Sequence, residues 1–264
     1  MKKYMFAICL VGLFSLPAQA QIQEKEIKYS VDGSEFTGFL SFDDAIQGKR
    51  PGVLVVHEWW GHNTYARKRA VMLAKLGYTA FALDMYGSGK KAEHPKDAMA
   101  FMQAVTGNPD TMSSRFNAGL NILQNDKHTQ SSNIAAIGYC MGGGIALNMA
   151  RQGAALKGIT VFHGGLAATT TAKEGDIKGK VLVLTGAADP FIPAEQVAAF
   201  EVEMKAAKVE YQLISYPSAK HSFTNPEADT FAERFGMPVA YDKSADTDSW
   251  KRMTKFLNEV LGNK

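Results

Sequence analysis

Cysteine is scarce in this 264-residue chain, with only Cys9 and Cys140 present. Two thiols cannot build the disulfide scaffold of a small secreted module. An excess of one charge is also lacking: the formal net charge is +3, too small for a nucleic-acid binder that works through bulk charge. The chain has no low-complexity tract, long linker or internal repeat. Its apolar share of 46% and charged share of 21% are those of a folded globular protein, which excludes disordered and collagen-like classes. The apolar run at 4–16 falls short of the about 20 residues that cross a membrane comfortably.

That run has a different meaning. Lys2 and Lys3 precede it, Pro17 ends it, and Ala18-Gln19-Ala20 follows with small residues at the two key positions. This is the layout of a secretory signal peptide cleaved after Ala20, so residues 1–20 are expected to be a leader and the product secreted or periplasmic. An uncleaved anchor fits less well because the run is short, and a lipoprotein through Cys9 less still, because Ile8 stands where a small residue is needed. The mature chain, 21–264, would carry a net charge of +1 and Cys140 as its only thiol. A lone thiol in an oxidising compartment is either buried and inert or used chemically.

The remainder reads as one domain of alternating strands and helices. Strands are expected at 27–31 and 36–42 across an Asp32-Gly33 turn, then at 52–56, 79–83, 134–139, 159–162, 181–185 and 211–216. Helices are expected at 65–76, 96–105, 112–123, 143–151, 194–207 and 247–260. Such alternation predicts an α/β fold with a mainly parallel central sheet and helices on both faces. Ligands of such sheets bind beyond the carboxyl ends of the strands, so the residues just after each apolar run carry the functional information.

Gly138-Tyr139-Cys140-Met141-Gly142 follows a strand and opens a helix. It fits a nucleophile elbow with cysteine in place of serine. The helix N-terminus favours a thiolate there, and the Met141 N–H is placed to hold an oxyanion. Asp189 and His221 follow two later strands, giving the chain order nucleophile, acid, base of an α/β-hydrolase. His221 would act as general base, and Asp189 would fix its tautomer. The first of these strand ends, His57-Glu58-Trp59-Trp60-Gly61-His62, spaces its histidines five apart after a strand. The zinc pattern needs four apart on a helix, so no metal is expected. The Trp59 N–H is the expected second oxyanion donor. Glu58 is expected beside the nucleophile, opposing thiolate formation by like charge. Trp60, Tyr86, His163 and Phe223 are candidate substrate contacts, although Trp60 and His163 could equally serve packing. His94 and His128 read as loop or surface residues.

These motifs resemble the dienelactone hydrolase (carboxymethylenebutenolidase-like) family of the α/β-hydrolase superfamily. The carrying segments are HEWWG at 57–61, ALDMYG at 82–87, GYCMGG at 138–143, GAADPFIP at 186–193 and KHSF at 220–223. The resemblance implies Cys140 as nucleophile, Asp189 and His221 completing the triad, and Glu58 as an active-site glutamate that substrate binding moves relative to the thiol. It also implies no cofactor. Two departures stand out. Where dienelactone-active members carry arginines for the substrate carboxylate, this chain reads Gly87-Ser88-Gly89-Lys90 after the first motif and Thr224-Asn225 after Phe223. A bidentate carboxylate clamp is therefore missing, although Lys90 or Lys91 could partly substitute.

The expected protein is thus a hydrolase cleaving a small-molecule ester, lactone or thioester through an acyl-cysteine. A monomer is expected, with a dimer left open, and no nucleic-acid partner. The rival reading is a non-catalytic ligand-binding protein on the same fold. A redox thiol protein is a third, weakened because no second cysteine remains to resolve a sulfenic acid.

Overall fold

The computed structural model describes residues 21–262, and the expected leader at 1–20 lies outside the described residues. The strands are β1 (Ile22–Val31), β2 (Ser34–Asp43), β3 (Arg50–Val56), β4 (Thr79–Leu83), β5 (Thr129–Tyr139), β6 (Gly158–Phe162), β7 (Lys180–Gly186) and β8 (Tyr211–Tyr216). The helices are α1 (Thr64–Ala74), α2 (Pro95–Thr106), α3 (Pro109–Asn125), α4 (Met141–Arg151), α5 (Ala194–Ala206), α6 (Ala228–Phe235) and α7 (Lys243–Leu261).

All eight strands join one sheet in the order β1-β2-β4-β3-β5-β6-β7-β8. β1 and β2 form the antiparallel hairpin, in register from Ile22↔Asp43 to Val31↔Ser34. Its turn residues Asp32 and Gly33 both have positive φ, 49° and 76°, the geometry that matches strand twist in a two-residue hairpin. β2 meets β4 antiparallel, and every later pairing is parallel. The carboxyl ends of β3, β5, β7 and β8 therefore open on one edge.

The continuous apolar run of β3 has two masters. Leu54 and Val56 join a core with α3, α4 and α5, while Val53 and Val55 join one with α1 and α7. All four side chains are fully buried, and each contributes about 1.5–3 kcal/mol through the water it sheds. The sheet is thereby covered on both faces, as the α/β pattern predicts.

The differences from expectation lie at the element ends. α3 starts at Pro109 and α7 at Lys243, because Asn108 and Asp242 cap them: each side chain accepts from two backbone N–H groups of the first turn. Apolar periodicity begins later than these caps and places the starts too late. α4 begins at Met141, immediately after the cysteine. β5 begins at Thr129, adding a polar stretch before its apolar half. α6 has no counterpart in the sequence reading.

Candidate active site

Cys140 stands at the end of β5 with φ 52° and ψ −120°. Few non-glycine residues adopt positive φ, and persistent strain of this kind must be held by its surroundings. Two glycines hold it. A Cβ on Gly138 would overlap the Gly142 carbonyl, and one on Gly142 would overlap the Val56 carbonyl and stand 2.6 Å from that of His57. The elbow therefore packs backbone against backbone, and Cys140 is lifted to the sheet edge, half-buried. Its own N–H is fixed by Phe162 O at 3.0 Å.

Asp189 and His221 arrive from β7 and β8. Asp189 is buried; one carboxylate oxygen accepts from the Phe191 N–H at 2.8 Å and the other from His221 Nδ1 at 2.8 Å. The His221 backbone is anchored as well, since its carbonyl accepts from Ala240 N–H at 3.2 Å. Burial alone would lower the imidazole pKa. The adjacent Cys140 and the Asp189 carboxylate outweigh it, and the value is pushed up to about 10. Cys140, Asp189 and His221, read from three strand ends, are thus brought together in one place.

Trp59 and Met141 both line the cavity above Cys140. Neither backbone N–H donates to a protein group among the described residues. Tyr86 ties the two together: its hydroxyl donates to Trp59 O at 2.9 Å and lies 3.2 Å from Met141 Sδ.

Glu58 is no solvated loop acid, being 2% exposed. Asn225 Nδ2 donates to one carboxylate oxygen at 2.6 Å and Ser222 Oγ to the other at 3.2 Å. The Asn225 amide is fixed in this sense because its carbonyl oxygen accepts from Glu227 N–H at 3.0 Å. Burial raises the Glu58 pKa, against the lowering effect of Asn225, His221 and Ser222. Its neighbour His57 is structural. Its Nε2 accepts from Met85 N–H at 3.1 Å, so Nδ1 carries the proton and donates to Glu58 O at 2.5 Å. The bond from Met85 ties the loop after β3 to the loop after β4. Among the described residues no group of three or more potential metal ligands comes together.

The four side chains expected to touch substrate lie behind the cavity wall instead. Trp60 is buried and stacked on Phe231 of α6, with ring centres 4.3 Å apart. Tyr86 is turned inward to the bonds just described. His163 is fully buried, with Nε2 bonded to Thr224 Oγ1 at 2.7 Å, and Phe223 packs beneath it. In each case the loop follows the sheet edge while the side chain fills the core below. Of the remaining histidines, His94 accepts from Lys96 N–H at the start of α2, whereas His128 is half-buried and stacks on Phe42 rather than lying free at the surface.

The cavity itself encloses about 370 Å3. Its walls include Met99 and Met102 of α2, Met112 of α3, Ile145 of α4, Phe191 and Met237. None of these was singled out in the sequence. The available signals were weak: Met99 and Met102 are three apart on one helix face, and Phe191 lies inside the GAADPFIP segment.

The model of the dienelactone hydrolase family matches residues 36–261. The solved structure named m3DLH is 36% identical, with a TM-score of 0.86, covering 91% of this chain and 99% of that one. A dienelactone hydrolase-like promiscuous phosphotriesterase from metagenomic libraries is 34% identical, with a TM-score of 0.84, covering 92% of this chain and all of that one. Protein usf of Aquifex pyrophilus is 26% identical over 215 residues, which are 80% of this chain and 89% of that protein. With the family model spanning 36–261, a range that contains every loop that bears the site, the chain belongs to the dienelactone hydrolase family of the α/β-hydrolases and is a hydrolase of ester bonds.

Proposed function

We propose that the protein cleaves a small ester or lactone through an acyl-cysteine formed on Cys140. The observation that carries the reading is the strained elbow cysteine set against His221, whose other ring nitrogen is bonded to buried Asp189. The thiolate attacks the carbonyl carbon while His221 holds the proton. The resulting oxyanion is received by the N–H groups of Trp59 and Met141. His221 then gives its proton to the departing alkoxide, and the C–O bond breaks. A water molecule, deprotonated by His221, attacks the acyl-cysteine and releases the acid and the thiolate.

Glu58 is the second acid of the site. Because burial raises its pKa, it holds a proton more readily than a solvated glutamate, and we assign it, through its interaction with His221, the control of when the Cys140 thiol carries charge. The signal-peptide layout supports a secreted or periplasmic setting. The likeness to a phosphotriesterase adds neutral phosphotriesters as a second electrophile to test.

The experiment is mass spectrometry of protein mixed with a small activated ester, alongside steady-state rates. An acyl adduct on Cys140 is expected, with turnover abolished in Cys140→Ala and His221→Ala while the far-ultraviolet circular dichroism persists. Full activity in either variant refutes the mechanism. A reachable thiol that never acylates points to a ligand-binding protein instead.

A further inference from the structure

The cavity around Cys140 is chemically one-sided. Among the described residues that line it there is no lysine and no arginine. Three arginines of the surrounding helices are committed elsewhere. Arg69 donates to Thr224 O and Asp246, both at 2.7 Å, Arg115 donates to Met85 O at 2.7 Å, and Arg151 pairs with Glu203 at 2.6 Å. The acids beside the site, Asp189 behind His221 and Glu58 behind Ser222, meet one cation in the wall, the His221 imidazolium, which Asp189 and Cys140 already engage. A carboxylate on a substrate would leave water to face these acids with no unengaged cation as a partner.

An apolar group meets the opposite conditions. The methionine wall offers flexible thioethers that adapt to chains of different shape. At the mouth, Phe191 and Met99 are 48% and 40% exposed. They are two of the five large apolar side chains so exposed among the described residues, and the Phe191 ring also meets His221 edge-on at 5.0 Å. Apolar side chains held out at the rim of an apolar cavity extend the surface on which a ligand can shed water.

Resting on the hydrolase reading above, we infer that the substrate is an uncharged ester with an apolar chain, seated against the methionine wall and reaching the Phe191–Met99 rim. The site selects against esters that carry a carboxylate.

The test compares the 4-nitrophenyl monoester of adipic acid with the same ester methyl-capped at its free end, and runs 4-nitrophenyl esters from acetate to hexanoate. The capped ester is expected to exceed the free acid in kcat/KM by at least about tenfold. The straight-chain series is expected to rise by roughly threefold per methylene at its start. Phe191→Ala is expected to reduce the hexanoate-to-acetate ratio. A second arm needs no turnover: rates of Cys140 alkylation by iodoacetamide and by iodoacetate are each normalised to glutathione. The neutral reagent is expected to be favoured by at least about tenfold. Equal or better use of the free acid, or no preference between the two alkylating agents, overturns the inference. If no ester acylates Cys140, the hydrolase reading fails, and the alkylation ratio still decides the charge preference.

Discussion

Tyr86→Phe removes a single oxygen atom and isolates the role of one buried hydroxyl. That hydroxyl is the only protein partner of the Trp59 carbonyl among the described residues, at 2.9 Å, and it touches Met141 Sδ at 3.2 Å. Both residues carry the N–H groups assigned to the oxyanion. A buried neutral hydrogen bond contributes about 0.5–1.5 kcal/mol net, and leaving its acceptor unpaired costs about 1–3 kcal/mol. The variant is therefore expected to lose about 1–2 kcal/mol of stability in urea or thermal unfolding. The kinetic effect is bounded from above by complete loss of one oxyanion donor, about 10²–10³ in kcat. Here the Trp59 N–H remains but is free to tilt, so a drop of roughly tenfold in kcat is expected, about 1.4 kcal/mol at the transition state. KM for a neutral 4-nitrophenyl ester should stay within about twofold, because the interaction strengthens only as the oxyanion forms. If stability falls while kcat is unchanged, the hydroxyl is merely structural. If KM rises at constant kcat, it shapes substrate binding. Either outcome refutes the positioning argument.

Other expected outcomes follow from single contacts. His221 is raised from 6.5 to about 10 by Cys140 and Asp189, against the lowering effect of its burial. A histidine raised in the folded state contributes stability fully present below pH 6.5 and lost as pH climbs toward 10. Cys140→Ala should lower the His221 midpoint in a nuclear magnetic resonance titration and flatten stability across that window; an unchanged midpoint would show that the sulfur does not set it. Glu203→Ala should cost about 3–5 kcal/mol in chemical denaturation, because it strands Arg151, which is 1% exposed at its side chain. The same variant frees the 166–172 loop, since Glu203 also accepts from Ala172 N–H at 2.8 Å and Arg151 donates to Leu166 O at 2.8 Å. A loss below about 1 kcal/mol would mean that the pair is not effectively buried. Gly142→Ala should remove activity and at least about 1–3 kcal/mol of stability, as the new methyl meets the Val56 and His57 carbonyls; normal turnover would contradict the elbow packing.

The parts of this site that were legible in sequence are those fixed by local chemistry. Cys140, Asp189 and His221 each follow a strand within a few residues, so strand ends and chain order suffice to find them. Glu58 was found the same way, but its burial was not visible, because Ser222 and Asn225 reach it from 164 and 167 positions away. The direction of loop side chains was illegible for the same reason. Trp60 faces inward because α6 supplies Phe231 as a stacking partner, and α6 itself carries too short an apolar pattern to announce itself. The cavity wall is a product of tertiary packing: Met99 and Met141 share it only because α2 and α4 lie over the same strand ends. Apolar periodicity does not mark a helix start where a cap, Asn108 or Asp242, precedes the first apolar residue.

The base rides on the outermost strand. β8 is bonded to β7 alone and is only partly buried, whereas the thiol stands on β5 near the middle of the sheet. Margins of a sheet open at lower free energy than its centre. Under mild denaturant the two halves of the proton relay should therefore separate while most of the strands remain paired. The working lifetime of the enzyme is then governed by fraying at one rim, and reinforcing that rim would prolong activity more than further tightening an already closed interior.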